Sequence, residues 1–312
     1  MSFTAQVKDE LSRVEGSCEN CKRAELSALI RVCGTLSFRG PGRYSIRIST
    51  ETGAVARMVI KLTRSLYGLE TALTVRRSVL HKTRNYLIEI PEQDGLEEAL
   101  YDLGILVPNK GLARGVEPRL VKRKCCLVSY IRGAFMAGGF IADPRGGFHL
   151  EIAVTGHILA EQIVRLLGVL GVDAKLNHRR GAYAIYVKTC DDIVRLLRLM
   201  GGKKSAQATE NVRAMKSVKN DVNRKVNAEL ANQARSVSAA AEQMDLINLA
   251  DELIGINNLP PAVKDFCVLR RDYPTLSLRD LGEQCSPRLS KSALNHRMRR
   301  LRSLVEEAQN DK

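Results

Sequence analysis

The sequence predicts an α+β protein: a pseudo-symmetric domain of two repeats, each running helix, hairpin, helix, hairpin, helix, followed by an all-α helix-turn-helix domain. Three observations predict it. The apolar and small residues of "LSALIRVCG" (Leu26 to Gly34) return in "IRGAFMAGG" (Ile131 to Gly139), about 105 residues later. After Gly202 the β-branched alternation stops, and a polar, charged, helix-compatible composition takes over. Near the C-terminus, two capped helical segments flank a short turn.

The first repeat is justified element by element. The small-residue helix ends at Gly34, and a hairpin follows whose second strand, "RYSIRIST", is set off by the turn-forming "RGPGR". An amphipathic helix, "AVARMVIKLTRSLYG", places apolar residues at i, i+3, i+4 and i+7. Strands "LTVRRSVL" and "NYLIEI" make the second hairpin, and "LEEALYDLG" closes the repeat as a short helix. The second copy repeats the order. It runs through "GFHLEIAVT", "ILAEQIVRLLGVLG", "AKLNH", "AYAIYV" and "DDIVRLLRLMG". The boundaries that follow are a first repeat over 1–110, an inter-repeat linker over 111–124, a second repeat over 125–204, a helical linker over 205–235 and a helix-turn-helix domain over 236–312.

Composition narrows the function. A chain of 312 residues exceeds one ordinary core and fits two or three units. No window approaches the roughly 20 apolar residues of a membrane span, and the charged start "MSFTAQVKDELSRV" lacks a signal peptide's apolar core. The expected location is therefore the cytoplasm, at the nucleoid, with no membrane partner and no small-molecule substrate. Eight cysteines in that setting read as reduced thiols or a metal site, not a disulfide framework. A net charge of +15 favours a polyanion, because each phosphate neutralised by Lys or Arg releases counterions. Aromatic content of 4% with no Trp argues against stacking platforms for single strands, so double-stranded DNA is the preferred partner.

In the C-terminal third, "LPPAVKDFCVLRRDYP" starts with prolines and stops at Pro274, framing a helix of about three turns. In "LSLRDLGEQCSPRLSKSALNHRMRRLRSL", Ser277 and Asp280 read as a capping box, Ser286 to Leu289 as the turn, and Ser290 as the cap of a second helix. On that helix Leu294, Met298, Leu301 and Val305 form the apolar stripe. Ser290, Lys291, Ser292, Asn295, His296, Arg299, Arg300 and Arg302 are then the candidate DNA-binding residues. Asn295 is placed to read a base edge, because an amide makes paired hydrogen bonds to adenine, while Arg299, Arg300 and Arg302 are placed to hold phosphates. His296 is as well suited to packing against its neighbours. The alternative for the basic run is a solvated helix end that complements the helix dipole.

On the repeats, Arg43 and Arg47 in the first hairpin, with Arg76 and Arg77 mirrored by Arg179 and Arg180, form the candidate accessory DNA surface. His149 and Glu151 stand in the matching strand of the second copy, so the two halves are unequal. Cys18 and Cys21 form a CxxC before the first repeat helix, and Cys125 with Cys126 precedes the second. If those helices pack side by side and parallel, four thiols meet. Tetrathiolate zinc is one reading, and small buried hydrophobes, with no metal and no cofactor, is the preferred one. Cys190, Cys267 and Cys285 fall in apolar patterns and read as core.

This organisation resembles the LAGLIDADG homing-endonuclease fold, in which two such halves pack through their first helices and two curved sheets form a saddle over DNA. The stretch "LSALIRVCG" lines up with the nine-letter motif directly. The resemblance implies that the penultimate acidic residue of each motif holds the catalytic metal. Here those positions are Cys33 and Gly138. Hard cations such as Mg²⁺ prefer oxygen ligands, so a thiol substitutes poorly and glycine offers nothing. No catalytic residue and no enzymatic activity are expected, an active DNA endonuclease being the opposed alternative. Asp143, in the turn "ADPRGG", reads as a turn-initiating residue.

The whole chain, from Met1 to about Glu307, also resembles the WhiA family, which joins a degenerate two-repeat LAGLIDADG domain to a helix-turn-helix like region 4 of sigma factors. The segments that carry this are "MSF" with "VKDEL", "CKRAELSALIR", "YIRGAFMAGG", "NDVNRKVN", "LRRDY" and "SKSALNHRMRRL". The resemblance implies sequence-specific DNA binding, transcription control, and links to cell division, chromosome segregation and sporulation septation. It also implies a sigma factor or co-regulator as partner.

Overall fold

The computed structural model describes residues 2–40, 42–77, 84–179 and 181–310. The chain forms two compact units, Met1–Lys216 and Ser217–Lys312, each with its own apolar core.

The first unit begins with a helix that the sequence reading did not assign, α1 (Phe3–Leu11). Its signals are ordinary ones: the Ser2 hydroxyl accepts from the Ala5 N–H, and Phe3, Val7 and Leu11 line one face at four-residue spacing. The first repeat follows as α2 (Glu19–Cys33), β1 (Gly34–Phe38), β2 (Tyr44–Thr50), α3 (Gly53–Tyr67), β3 (Ala72–Arg77), β4 (Arg84–Ile90) and α4 (Leu96–Asp102). A small hairpin, β5 (Leu106–Val107) and β6 (Gly111–Leu112), and a helical turn, α5 (Pro118–Val121), lead to the second repeat. That repeat comprises α6 (Lys124–Gly138), β7 (Gly139–Ile141), β8 (Leu150–Val154), α7 (His157–Val169), β9 (Lys175–Arg179), β10 (Ala182–Val187) and α8 (Cys190–Met200).

Each repeat builds a four-stranded antiparallel sheet, in the orders β1-β2-β4-β3 and β7-β8-β10-β9. The orders match because the same hairpins recur in sequence. In β2 and β8 alternate residues are buried, Ile46, Ile48 and Thr50 in one and Leu150, Ile152 and Val154 in the other, so one sheet face packs inward and the other is open.

Between the sheets, α2 and α6 pack in parallel along their lengths. A side chain at Gly133 would strike the Glu25 carbonyl and the Ala28 methyl, and one at Gly138 would strike the Ala153 carbonyl and Val32. The bare face of α6 is therefore filled by backbone. Across the same seam Arg132 makes a two-pronged bond to Glu25, at 2.6 and 2.7 Å, with both side chains no more than 4% exposed. Residues of both repeats belong to one continuous core.

Helix α9 (Lys203–Leu253) contributes its first turns to this unit: Glu10 of α1 accepts from the backbone N–H groups of Lys204 and Ser205, capping it. In the second unit, α9 is followed by a 3₁₀ turn (Ile256–Asn258), α10 (Pro261–Asp272), α11 (Leu278–Glu283) and α12 (Lys291–Asn310). The core gathers Ile247, Phe266, Cys267, Leu281, Leu294, Leu301 and Val305. Among the described residues, no helix is long and apolar enough to cross a membrane.

Candidate nucleic-acid interface

In the second unit the local chemistry builds a helix-turn-helix. Ser277 accepts from the Asp280 N–H and donates to its carboxylate at 2.6 Å, starting α11. The turn folds back where the Leu289 N–H donates to the Gly282 carbonyl at 3.1 Å. Ser290 then accepts from the Ala293 N–H at 3.2 Å and starts α12. Buried Arg270 holds the preceding loop, donating from one nitrogen to the carbonyls of Tyr273 and Leu276 at 3.2 and 2.5 Å. This arginine was not singled out in the sequence, because "LRRDY" offers two adjacent guanidiniums and only packing tells them apart.

Leu294, Leu301 and Val305 of α12 are buried and Met298 packs beside them. The opposite face carries exposed Lys291, Ser292, His296, Arg299 and Arg302, with Asn295 half-buried between them. Asn295 thus shares the face of the cations. His296 is exposed rather than packed. The Ser290 hydroxyl is engaged as the helix cap and lies 3.4 Å from the Ser292 hydroxyl, and Arg300 is paired with Glu307 at 3.4 Å, so these three candidates already have partners within the protein.

The open sheet faces of the first unit are more mixed. Arg43 is bound to Glu92 at 2.7 Å, and Arg47 lies 3.8 Å from its cross-strand partner Glu89. The Glu92 carboxyl holds the Arg43 guanidinium above its ordinary range, and the guanidinium in turn pulls that carboxyl down. Arg76 and Arg77 do not act as a pair. Register places Arg76 opposite Asn85, on the face of Arg47 and Glu89, while Arg77 opposite Arg84 points to the other face, because successive strand residues alternate. Arg179 lies on the open face of the second sheet with Lys175 and Asn177, and Arg180 lies outside the described residues. His149 is 3.1 Å from Glu151 there, so that face carries an acid, opposite Tyr186, where the first sheet has Arg47 opposite Glu89.

The C-terminal end of α6 borders a cavity of about 1000 Å³ lined by residues of α1, β2 and β7 with Gly138, Asp143 and Arg145. Cys33 donates from sulfur to the Leu29 carbonyl at 3.1 Å, and burial pushes its thiol up to about 12. It is a neutral thiol at physiological pH. Beside it the Lys8 ammonium of α1, 7% exposed, has its pKa lowered to about 8 by burial, with Cys33 and Glu51 acting in the opposite sense. Asp143 accepts from the Arg145 N–H at 2.9 Å and from its guanidinium, and those bonds hold its carboxyl at about 2. Both the lysine and the steric closure at Gly138 depend on contacts across the fold, so neither shows in the local sequence.

At the other end of the pair, the sulfurs of Cys18, Cys21, Cys125 and Cys126 lie within 4.8 Å of one another. The parallel packing required for the four to meet is present. Among the described residues this is the single cluster of three or more His, Cys, Asp or Glu arranged to share a metal ion. Cys267 is buried in the second core, while Cys190 and Cys285 are half-buried at the margins of theirs.

Sequence comparison places these features in a family. Residues 19–106 match the WhiA N-terminal LAGLIDADG-like domain, 127–219 the WhiA LAGLIDADG-like domain, and 222–305 the WhiA C-terminal HTH domain. The chain is 38% identical over 314 residues to the probable cell division protein WhiA of Desulforamulus reducens, covering 100% of this chain and 98% of that one. The chain belongs to the WhiA family. A second WhiA, from Desulfitobacterium hafniense, is 39% identical over 307 residues, covering 98% and 96% of the two chains. The crystal structure of full-length WhiA from Thermatoga maritima superposes with a TM-score of 0.62 at 24% identity, covering 98% of this chain and 99% of that one. The WhiA fold, a LAGLIDADG-like repeat domain followed by a helix-turn-helix, is thus the fold of this chain.

Proposed function

We propose that this WhiA-family chain is a non-enzymatic, sequence-specific regulator of transcription, whose helix-turn-helix reads duplex DNA and whose repeat domain is an accessory surface for DNA or a partner. The observation that carries the reading is the outer face of α12, where Lys291, Arg299 and Arg302 flank Asn295 on a helix whose other face is locked into the core. A helix so fixed presents its N-terminal turns as one rigid unit. Asn295 serves base readout, and the arginines serve phosphates.

The reading as a non-enzyme is supported by a neutral thiol at Cys33 and by the absence of any side-chain ligand at Gly138. An accessory role for the sheets is supported by Glu89, Glu92 and Glu151, which neutralise the open faces in part. Family membership supports a role in cell division. It also supports action at the nucleoid in the cytoplasm, together with links to chromosome segregation and sporulation septation and a sigma factor or co-regulator as partner.

A competition binding assay on genomic duplex fragments tests the reading. Asn295→Ala is expected to cost roughly 1–3 kcal/mol on the preferred fragment and little on random DNA, whereas Arg299→Ala weakens both and lowers the salt slope by about one. Unchanged preference and affinity in both variants would sink it. Specific nicking of any fragment with Mg²⁺ present would restore the endonuclease reading.

A further inference from the structure

We propose that Cys18, Cys21, Cys125 and Cys126 form a structural zinc site that ties together the N-terminal ends of α2 and α6. A tetrahedral zinc with Zn–S bonds of about 2.3 Å has sulfurs about 3.8 Å apart. The sulfur separations here are 3.4 Å for Cys18 to Cys21, 3.6 Å for Cys18 to Cys126, and 3.8 Å for both Cys21 to Cys126 and Cys125 to Cys126. Four of the six sulfur–sulfur edges are thus close to those of a zinc tetrahedron, and all six lie within 4.8 Å. Small hydrophobes have no reason to converge sulfur on sulfur from two segments more than 100 residues apart; they would point to carbon neighbours instead.

The surroundings suit a thiolate-bound divalent cation. All four residues lie at or next to the first turns of their helices, with Cys18 at the N-cap position of α2 and Cys125 and Cys126 in the first turn of α6, where the helix dipoles favour negative sulfur. Cys21 and Cys126 are buried, and Cys18 and Cys125 are half-buried, which leaves an entry path for the ion and excludes bulk water once it is bound. Four thiolates around zinc carry a net charge of −2. The run Lys122, Arg123 and Lys124 immediately before Cys125, with Lys22 after Cys21, offsets it. Polar groups support the ligands as well: Ser129 lies beside Cys21, and Asn20 beside Cys126. No carboxylate or imidazole joins the cluster among the described residues, so the site selects a soft-ligand metal over Mg²⁺ or Ca²⁺.

The inference is independent of DNA recognition and is tested on the full chain. Protein purified under reductant, without chelator and with zinc supplied during expression, is expected to contain about one zinc per chain by elemental analysis. Cobalt exchanged into the site is expected to give the visible bands and the sulfur charge transfer of a tetrahedral tetrathiolate. Removing the metal from the wild type with a strong chelator is expected to lower the melting temperature, and zinc but not Mg²⁺ restores it. The double variant Cys21→Ser/Cys126→Ser is expected to lose the zinc. Should it fail to fold, the milder Cys125→Ser, which replaces a half-buried ligand, is expected to bind zinc at least about tenfold more weakly. Less than about 0.1 zinc per chain in the reduced, zinc-supplied protein overturns the proposal. So does a cobalt spectrum without four sulfurs, full zinc retention in the double variant, or recovery of these thiols as disulfides from anaerobically handled protein.

Discussion

Lys8 shows how much a single side chain can reveal at the end of a helix pair. Its ammonium is buried among Cys33 and Glu51, near where the homing-endonuclease pattern would place a divalent cation. Burial lowers its pKa from 10.5 to about 8, so between those values the unfolded chain holds a proton that the folded chain has released. Stability contributed by this group therefore rises as pH climbs from about 8 to 10.5 and is smallest below 8. Lys8→Met is expected to stabilise the protein at pH 7 by about 1–3 kcal/mol and to remove that rise. Denaturant midpoints for parent and variant across the window check it, since the difference cancels groups common to both. Parallel pH profiles would refute the burial argument. The lysine was not legible in "VKDEL", where it looks like any exposed cation; only the packing of α1 against the ends of the repeat helices distinguishes it.

At the scale of elements, the seam between α2 and α6 decides what each end can hold. The small residues of "YIRGAFMAGG" were legible as a packing face, because helical spacing alone puts them together. Their partners were not. Gly138 meets the Ala153 carbonyl from β8 as well as Val32 from α2, and a strand contact leaves no periodic trace in the helix. Consequently an acid cannot simply be written back. Gly138→Asp is expected to lower stability by roughly 3 kcal/mol or more through overpacking and a buried charge, and to produce no Mg²⁺-dependent cleavage even when combined with Cys33→Asp. Thermal melts and a nicking assay on the double variant check this. A well-folded, metal-binding protein would show that the seam yields more easily than its geometry implies. The Glu25–Arg132 bond escaped the sequence reading for a related reason: its halves are 107 residues apart, and each belongs to a repeat that looks complete alone.

For the whole molecule, the internal repeat was the most legible feature, since a constant shift persists through every helix and hairpin. The helix-turn-helix was legible for a different reason: caps, turn and apolar stripe are all local. The division of labour between the two units follows from their surfaces. The α12 face concentrates exposed cations around Asn295, while the open sheet faces mix arginine with glutamate. Chromatin occupancy of a chain lacking residues 236–312 is expected to lose its specific peaks, retaining at most weak, salt-sensitive association. Preserved peaks would make the sheets the main DNA surface.

The shared core of the two repeats also has a consequence in time. Helix α6 supplies the surface that α2 buries, and Thr4 of α1 bonds to Ile141 of β7, so during synthesis α1 and α2 wait for a partner some 105 to 137 residues later. At synthesis rates of about 5–20 residues per second, that is roughly 5 to 27 s during which a nascent apolar helix face stays uncovered. Chaperone capture during translation should therefore concentrate on the first repeat and fall away once α6 has left the exit tunnel.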